Sequence, residues 1–165
     1  MGGLQNPKCN NRERGGNKMK VKECMCNNVV SLSPENTAFD AAKLMNEKHV
    51  GCIPVVDNNQ NVVGLVTDRD LTLRCIACNK DANLTPITEV MTTKIYSIAS
   101  DADVTEASNV MCNCQVKRVP VIDNNTLVGI ITLGDLANNQ AVGAQEISRT
   151  TQGICRCGKN MQNNY

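Results

Sequence analysis

Val63-Gly64-Leu65-Val66-Thr67-Asp68-Arg69-Asp70 returns later in the chain as Val128-Gly129-Ile130-Ile131-Thr132-Leu133-Gly134-Asp135. In both copies a run rich in β-branched residues ends on Thr, and an Asp follows three positions on, which reads as a strand passing directly into a helix. The agreement continues upstream. Val50-Gly51-Cys52-Ile53-Pro54-Val55-Val56-Asp57-Asn58-Asn59 faces Val116-Lys117-Arg118-Val119-Pro120-Val121-Ile122-Asp123-Asn124-Asn125 once one residue near Gln60 is skipped. Two apolar runs separated by Asp-Asn-Asn predict a β-hairpin. Self-similarity of this length, in one order, makes the chain an internal repeat.

Further upstream, each copy has a short extended piece, Val29 to Leu32 or Ile95 to Ile98, leading through Ser33-Pro34 or Ser100-Asp101 into a helix. Ser and Asp before good helix formers are start signals. Ala38, Ala41, Ala42 and Met45 lie at helical spacing, and Val104, Ala107 and Met111 form the matching stripe, so both helices are expected to bury one face. The unit is thus β-α-β-β-α. At roughly sixty residues neither unit buries much surface alone. Two units packed through their sheets about a pseudo-twofold axis, in the mixed α/β (α+β) class, are the expected architecture. The repeats run over 21–78 and 87–138, joined by a polar linker over 79–86. Residues 1–20 are polar and mixed in charge, and 139–165 are rich in Asn and Gln; both are expected to be largely mobile.

Composition narrows the function. Lys and Arg number 17 against 16 Asp and Glu, so a nonspecific electrostatic grip on nucleic acid is not expected. Phe39, Tyr96 and Tyr165 are the whole aromatic complement, which removes the stacking platforms of single-strand binders. The chain shows neither an apolar run of membrane-spanning length nor a secretory stretch, and a cytoplasmic location is expected. With no export signal, the 10 cysteines are read as reduced thiols.

Four features appear twice in series: a Val-x-x-x-Met type opening (Val21 to Met25, Ile87 to Met91), the amphipathic helix, the x-Pro-Val strand, and Gly-h-h-Thr-x-x-Asp, where h is apolar. With them the chain, over roughly Val21 to Asn138, resembles a tandem pair of cystathionine-β-synthase (CBS) domains, a Bateman module. In the last motif Thr and the first helical amides converge where a phosphate is favoured, and Asp can accept the hydroxyls of a ribose. Thr-x-x-Asp is also close to a capping box, in which both side chains serve only the helix end. The resemblance implies a non-enzymatic regulatory module that binds an adenine nucleotide, or S-adenosylmethionine, between the repeats and forms a homodimer.

Carried over by motif, the resemblance implies two unequal sites. One uses Thr132, Asp135, Lys117 and Arg118 for sugar and phosphate, with Met25, Val30, Val50 and Gly51 around the base. The other uses Thr67 and Asp70, with Met91, Tyr96, Val116 and Lys117 around the base. Arg118 offers a fork of donors to phosphate, whereas its counterpart Cys52 offers no charge, so the second site is expected to be weaker. Arg69 could compensate in part.

The rival reading is a thiol-based metal or redox protein using Cys24/Cys26, Cys75/Cys78, Cys112/Cys114 and Cys155/Cys157. Most of these positions suit any small buried side chain. A third reading is a structural dimer whose clefts bind nothing. The one histidine, His49, follows Lys48 at a helix end, where a cation is favoured anyway. No Ser-His-Asp set, His-based metal motif or Gly-rich phosphate loop is present in the sequence, and no reaction centre is expected.

Overall fold

The computed structural model describes residues 19–139 and 142–155. The first repeat forms α1 (Ala38–Lys48), β1 (Cys52–Val56), β2 (Val62–Thr67) and a single helical turn, α2 (Asp68–Asp70), which widens to π geometry over Leu71–Ile76. The second forms α3 (Val104–Cys114), β3 (Arg118–Asp123), β4 (Thr126–Thr132) and α4 (Leu133–Asn138). Each hairpin is an antiparallel pair, with Cys52 opposite Thr67 and Arg118 opposite Thr132. Asn124 and Asn125 both take positive φ, as the two-residue turn of the second hairpin demands. In the first hairpin the loop is longer: the Asp57 carboxylate accepts the Asn59 and Asn61 amides at 2.9 Å, and Gln60 takes the positive φ. The residue skipped in aligning the repeats is therefore a loop residue.

Two local expectations change. The extended pieces before the helices pair only at Leu32 with Val55 and at Ile98 with Val121, each a single parallel bridge. Ser33 ends the first at once, its amide donating to Asn36 Oδ1 at 2.8 Å. Helix starts fall later than Ser33 and Ser100: Thr37 and Asp103 are the caps, each in a full capping box with Asp40 or Glu106. Ala38, Ala41 and Met45 are buried as the stripe requires, but Ala42 is exposed because α1 packs along one narrow side.

Each core takes in the opening of the other repeat. Ile87 and Val90, which open the second repeat, are buried in the core of the first with Leu32, Met45, Ile53 and Val66. Val21, which opens the first, is buried with Ile98, Met111, Val119 and Leu136 of the second. The openings are exchanged. Backbone pairing locks the exchange: Cys26 and Ile130 swap two hydrogen bonds at 2.9 Å, and Leu65 and Thr92 swap two at 2.9 and 2.7 Å. Consequently the 79–86 linker is docked, with the Ala82 and Thr85 carbonyls accepting the Phe39 and Ala38 amides at 3.0 and 2.9 Å. These are orphan donors of a helix start. Met19 does the same for Val104 at 3.0 Å, so residues 19 and 20 belong to the fold and not to an extension.

Gly64 and Gly129 permit the exchange. A Cβ at Gly64 would overlap the Met91 sulfur, and one at Gly129 would overlap the Met25 sulfur and approach the Cys26 carbonyl to 2.9 Å. Each motif glycine is the space into which the other repeat's opening methionine fits.

Within 139–165, expected to be largely mobile, the chain forms a further helix. α5 (Ala144–Cys155) lies on α3 and α4 with Thr150, Gly153 and Ile154 buried. Its apolar stripe is disguised in sequence by Thr150, whose hydroxyl donates back to the Glu146 carbonyl at 2.8 Å and so buries without an unpaired proton. Residues 1–18 and 156–165 lie outside the described residues. Among the described residues no helix is long and apolar enough to cross a membrane.

The glycine contacts are separable by a double-mutant cycle. Gly64→Ala and Gly129→Ala should each destabilise by about 1–3 kcal/mol in urea unfolding. Adding Met91→Ala should recover the Gly64→Ala loss, whereas Met25→Ala should leave a residue of the Gly129→Ala loss, because the Cys26 backbone cannot be trimmed.

Candidate functional site

A cavity of about 980 Å³ opens between the repeats. From the first repeat come Val29, Val30, Val50 and Gly51, an apolar wall; from the second come Lys117, Arg118, Thr132 and Asp135. Arg118 starts β3 opposite Thr132, and strand alternation turns it outward while Val119 is fully buried. Gly51 makes room for it: a Cβ there would lie 3.2 Å from Arg118 Nη2 and 2.8 Å from Asp68 Oδ2. Among the described residues the Arg118 guanidinium donates no hydrogen bond and forms no ion pair. Its charge is available to a ligand.

Thr132 and Asp135 do cap α4. The Thr132 amide and hydroxyl donate to Asp135 Oδ2 at 2.8 and 2.7 Å, and the Asp135 amide donates to Thr132 Oγ1 at 3.2 Å. All of these use one carboxylate oxygen. No described residue bonds Asp135 Oδ1, so the half-buried carboxylate keeps acceptor capacity toward the cavity. Because α4 spans only Leu133–Asn138, its dipole is slight, and the anion-binding character of the cleft rests mainly on Lys117 and Arg118.

The pseudo-symmetric position differs. Thr67 and Asp70 form the same box, at 2.9, 2.6 and 3.1 Å. Here the second oxygen is taken, since Asp70 Oδ1 lies 3.4 Å from Arg74 Nη1. Arg74 also donates to the Val90 and Met91 carbonyls at 2.8 and 2.9 Å and to Thr92 Oγ1 at 3.1 Å, tying α2 to the exchanged segment. Tyr96 is covered by Lys94, whose Nζ sits 5.5 Å from the ring centroid. Thr67, Asp70, Met91, Tyr96 and Val116 do not line the cavity.

Within the main site, Val30, Val50, Gly51, Lys117, Arg118, Thr132 and Asp135 meet as the motifs imply. Met25 does not reach the cavity: its sulfur lies against Gly129 and its chain packs on the second core, and Cys26 and Asn28 take its place. Sequence reasoning missed Lys48 and His49, which line the cavity where α1 ends on a left-handed His49. Their adjacency to Val50 was the available signal. It also missed Ile147 and Thr151 of α5.

Among the described residues no three His, Cys, Asp or Glu side chains are grouped as a metal would need. Cys155 ends α5, and its sequence partner Cys157 lies outside the described residues. Cys52, Arg118's counterpart, is a buried strand residue whose thiol is pushed up to about 11 by burial, only partly countered by Arg118. Folding therefore holds the Cys52 proton more tightly than the ordinary thiol value of 9.0 does. Stability from this group is complete below pH 9 and is lost as pH rises through about 11. Urea unfolding from pH 8 to about 11 should show a shallower alkaline decline for Cys52→Ala than for the wild type, whatever the offset between them at pH 8.

Residues 21–76 and 87–141 each match the CBS domain family. The CBS domain-containing protein YhcV of Bacillus subtilis is 45% identical over 121 residues, 73% of this chain and 84% of that protein. Among solved structures, the conserved CBS domain protein TA0289 of Thermoplasma acidophilum is similar with a TM-score of 0.73 and 33% identity, over 82% of this chain and 76% of that one. The CBS domain pair of protein MJ0100, solved in complex with 5'-methylthioadenosine and S-adenosyl-L-methionine, is similar with a TM-score of 0.68 and 25% identity, over 73% of this chain and 94% of that one. Two matched repeats, built as antiparallel hairpins with exchanged openings around one cleft, make this chain a member of the CBS domain family.

Proposed function

We propose that the chain is a non-catalytic, cytoplasmic regulatory module that binds one adenine nucleotide in the cleft between its repeats. The observation that carries this is the composition of the cavity, with an apolar wall of Val29, Val30 and Val50 facing the Lys117 and Arg118 cations and the open oxygen of Asp135. A purine fits the first, a phosphate the second and a ribose the third. The adenosyl ligands held by the MJ0100 pair support an adenosine-based ligand here. Lys48, Lys117 and Arg118 all line the cleft, which favours AMP, ADP or ATP over the cationic sulfonium of S-adenosylmethionine.

Stoichiometry follows from the asymmetry between the repeats. Asp70 is engaged by Arg74, and Cys52 has no charge where Arg118 has one, so one ligand per chain is the supported number. Association into a homodimer is supported by the exposed apolar side chains of the first repeat and the linker, Phe39, Leu73, Ile76 and Leu84, the last two 70% and 78% exposed. A nucleotide that prefers one arrangement of the repeats would shift that association and any partner bound to it.

Calorimetry with AMP, ADP, ATP, NAD and S-adenosylmethionine tests the reading, with saturation near one equivalent expected for a phosphorylated adenosine. No binding of any of them at millimolar concentration, with no rise in melting temperature, would show it to be wrong. Arg118→Ala should weaken AMP about ten- to a hundredfold and Cys52→Ala far less. With adenosine in place of AMP the Arg118 effect should shrink while that of Asp135→Ala persists. Equal AMP affinity for Arg118→Ala and wild type would move the phosphate site elsewhere, Arg69 being the next candidate.

A further inference from the structure

We infer that α5, which begins beyond the matched repeats, is a third wall of the cleft and that its docking is coupled to nucleotide occupancy; this rests on the nucleotide reading above. The family match ends at residue 141 and α5 starts at Ala144, yet Ile147 and Thr151, one turn apart on it, line the cavity beside Leu133, Gly134 and Ala137. The same helix is anchored on its adjacent face. Thr150 and Ile154 are buried, and Gly153 rests so closely on α3 that any Cβ would overlap the Cys112 sulfur. Arg149 adds a hydrogen bond to Asn109 Oδ1 of α3 at 2.6 Å.

Anchor and wall lie within two to three turns of one helix, so they move together. A nucleotide touching Ile147 and Thr151 gains those contacts only when α5 is docked. Linkage then requires that the nucleotide favour the docked helix by the same factor by which docking favours the nucleotide. The chemistry of the wall says which part of the ligand it meets. The Thr151 hydroxyl donates its proton to the Ile147 carbonyl at 2.8 Å, leaving lone pairs and a methyl group toward the cleft. Such a surface accepts a ribose hydroxyl or covers a base edge, and it offers nothing to a phosphate. Among the described residues the corresponding place in the first repeat is held by no helix, since the chain beyond Ile76 turns into the docked 79–86 segment, and α5 is a feature of the Arg118 cleft.

Hydrogen exchange on the whole chain, with and without saturating AMP, reads the coupling directly. Amides of α5 should slow by about fivefold or more, in step with those of β3 to α4. Gly153→Val, which touches no cavity residue, should undock α5 and weaken AMP by about 5- to 150-fold while the hairpins keep their protection. If that variant does not fold, Thr151→Asp serves, since Thr151 is exposed and a carboxylate on the wall should weaken AMP by about tenfold. AMP protection of β3 to α4 with α5 unchanged, or wild-type AMP affinity in a folded Gly153→Val or Thr151→Asp chain, overturns the coupling and leaves the nucleotide reading standing. Absence of AMP protection anywhere defeats the nucleotide reading itself, and the coupling with it.

Discussion

The close approach of a methionine side chain to a bare backbone, Met25 at Gly129 and Met91 at Gly64, is what the rest of this structure depends on. Each contact lets an opening segment lie flat against the opposite hairpin, near enough for Cys26 to pair with Ile130 and Thr92 with Leu65. From that pairing follow the burial of Val21 and Ile87 in the other repeat's core and the docking of the linker on α1. The cleft follows too, because the exchanged segment carrying Cys26, Asn28, Val29 and Val30 forms one of its sides. A side chain larger than hydrogen at either glycine would disturb the fold and the site together.

On this symmetric frame the chemistry is asymmetric, and the difference comes from a few side chains. Both Thr-x-x-Asp motifs make the same capping box, so the motif itself does not separate a ligand site from a helix cap. What separates them is the fate of the second carboxylate oxygen: open at Asp135, engaged by Arg74 at Asp70. Arg118 against Cys52 repeats the contrast on the neighbouring strand, a cation facing the cavity in one repeat and a neutral buried thiol in the other.

Much of this was legible in the residues. The repeat, the hairpins, the helices opening at Thr67 and Thr132 and the convergence of Val30, Val50, Lys117, Arg118, Thr132 and Asp135 were all readable, because each depends on local pattern or on alignment of one copy with the other. Three features were not. The exchange of openings is a long-range pairing, and Val21 looks the same in sequence whichever core it enters. Arg74's engagement with Asp70 depends on side-chain reach across a π-widened turn, which periodicity does not encode. α5 was hidden because threonines that satisfy themselves on their own helix can bury like apolar residues, while composition counts them as polar.

The exchanged openings also set the order in which the chain can become structured during synthesis. Val21 emerges early, but the core that buries it needs Val119, Ile131 and Leu136, which emerge 98 to 115 residues later. The first repeat must likewise wait for Ile87 and Val90. The first core draws only on residues between Val30 and Met91 and can complete once these have emerged, whereas the core that buries Val21 waits for Leu136 and Ile154, so its collapse is delayed until nearly the whole described region has left the ribosome. Such high contact order slows folding and joins the two repeats into one cooperative unit, even though each carries a full set of its own helices and strands.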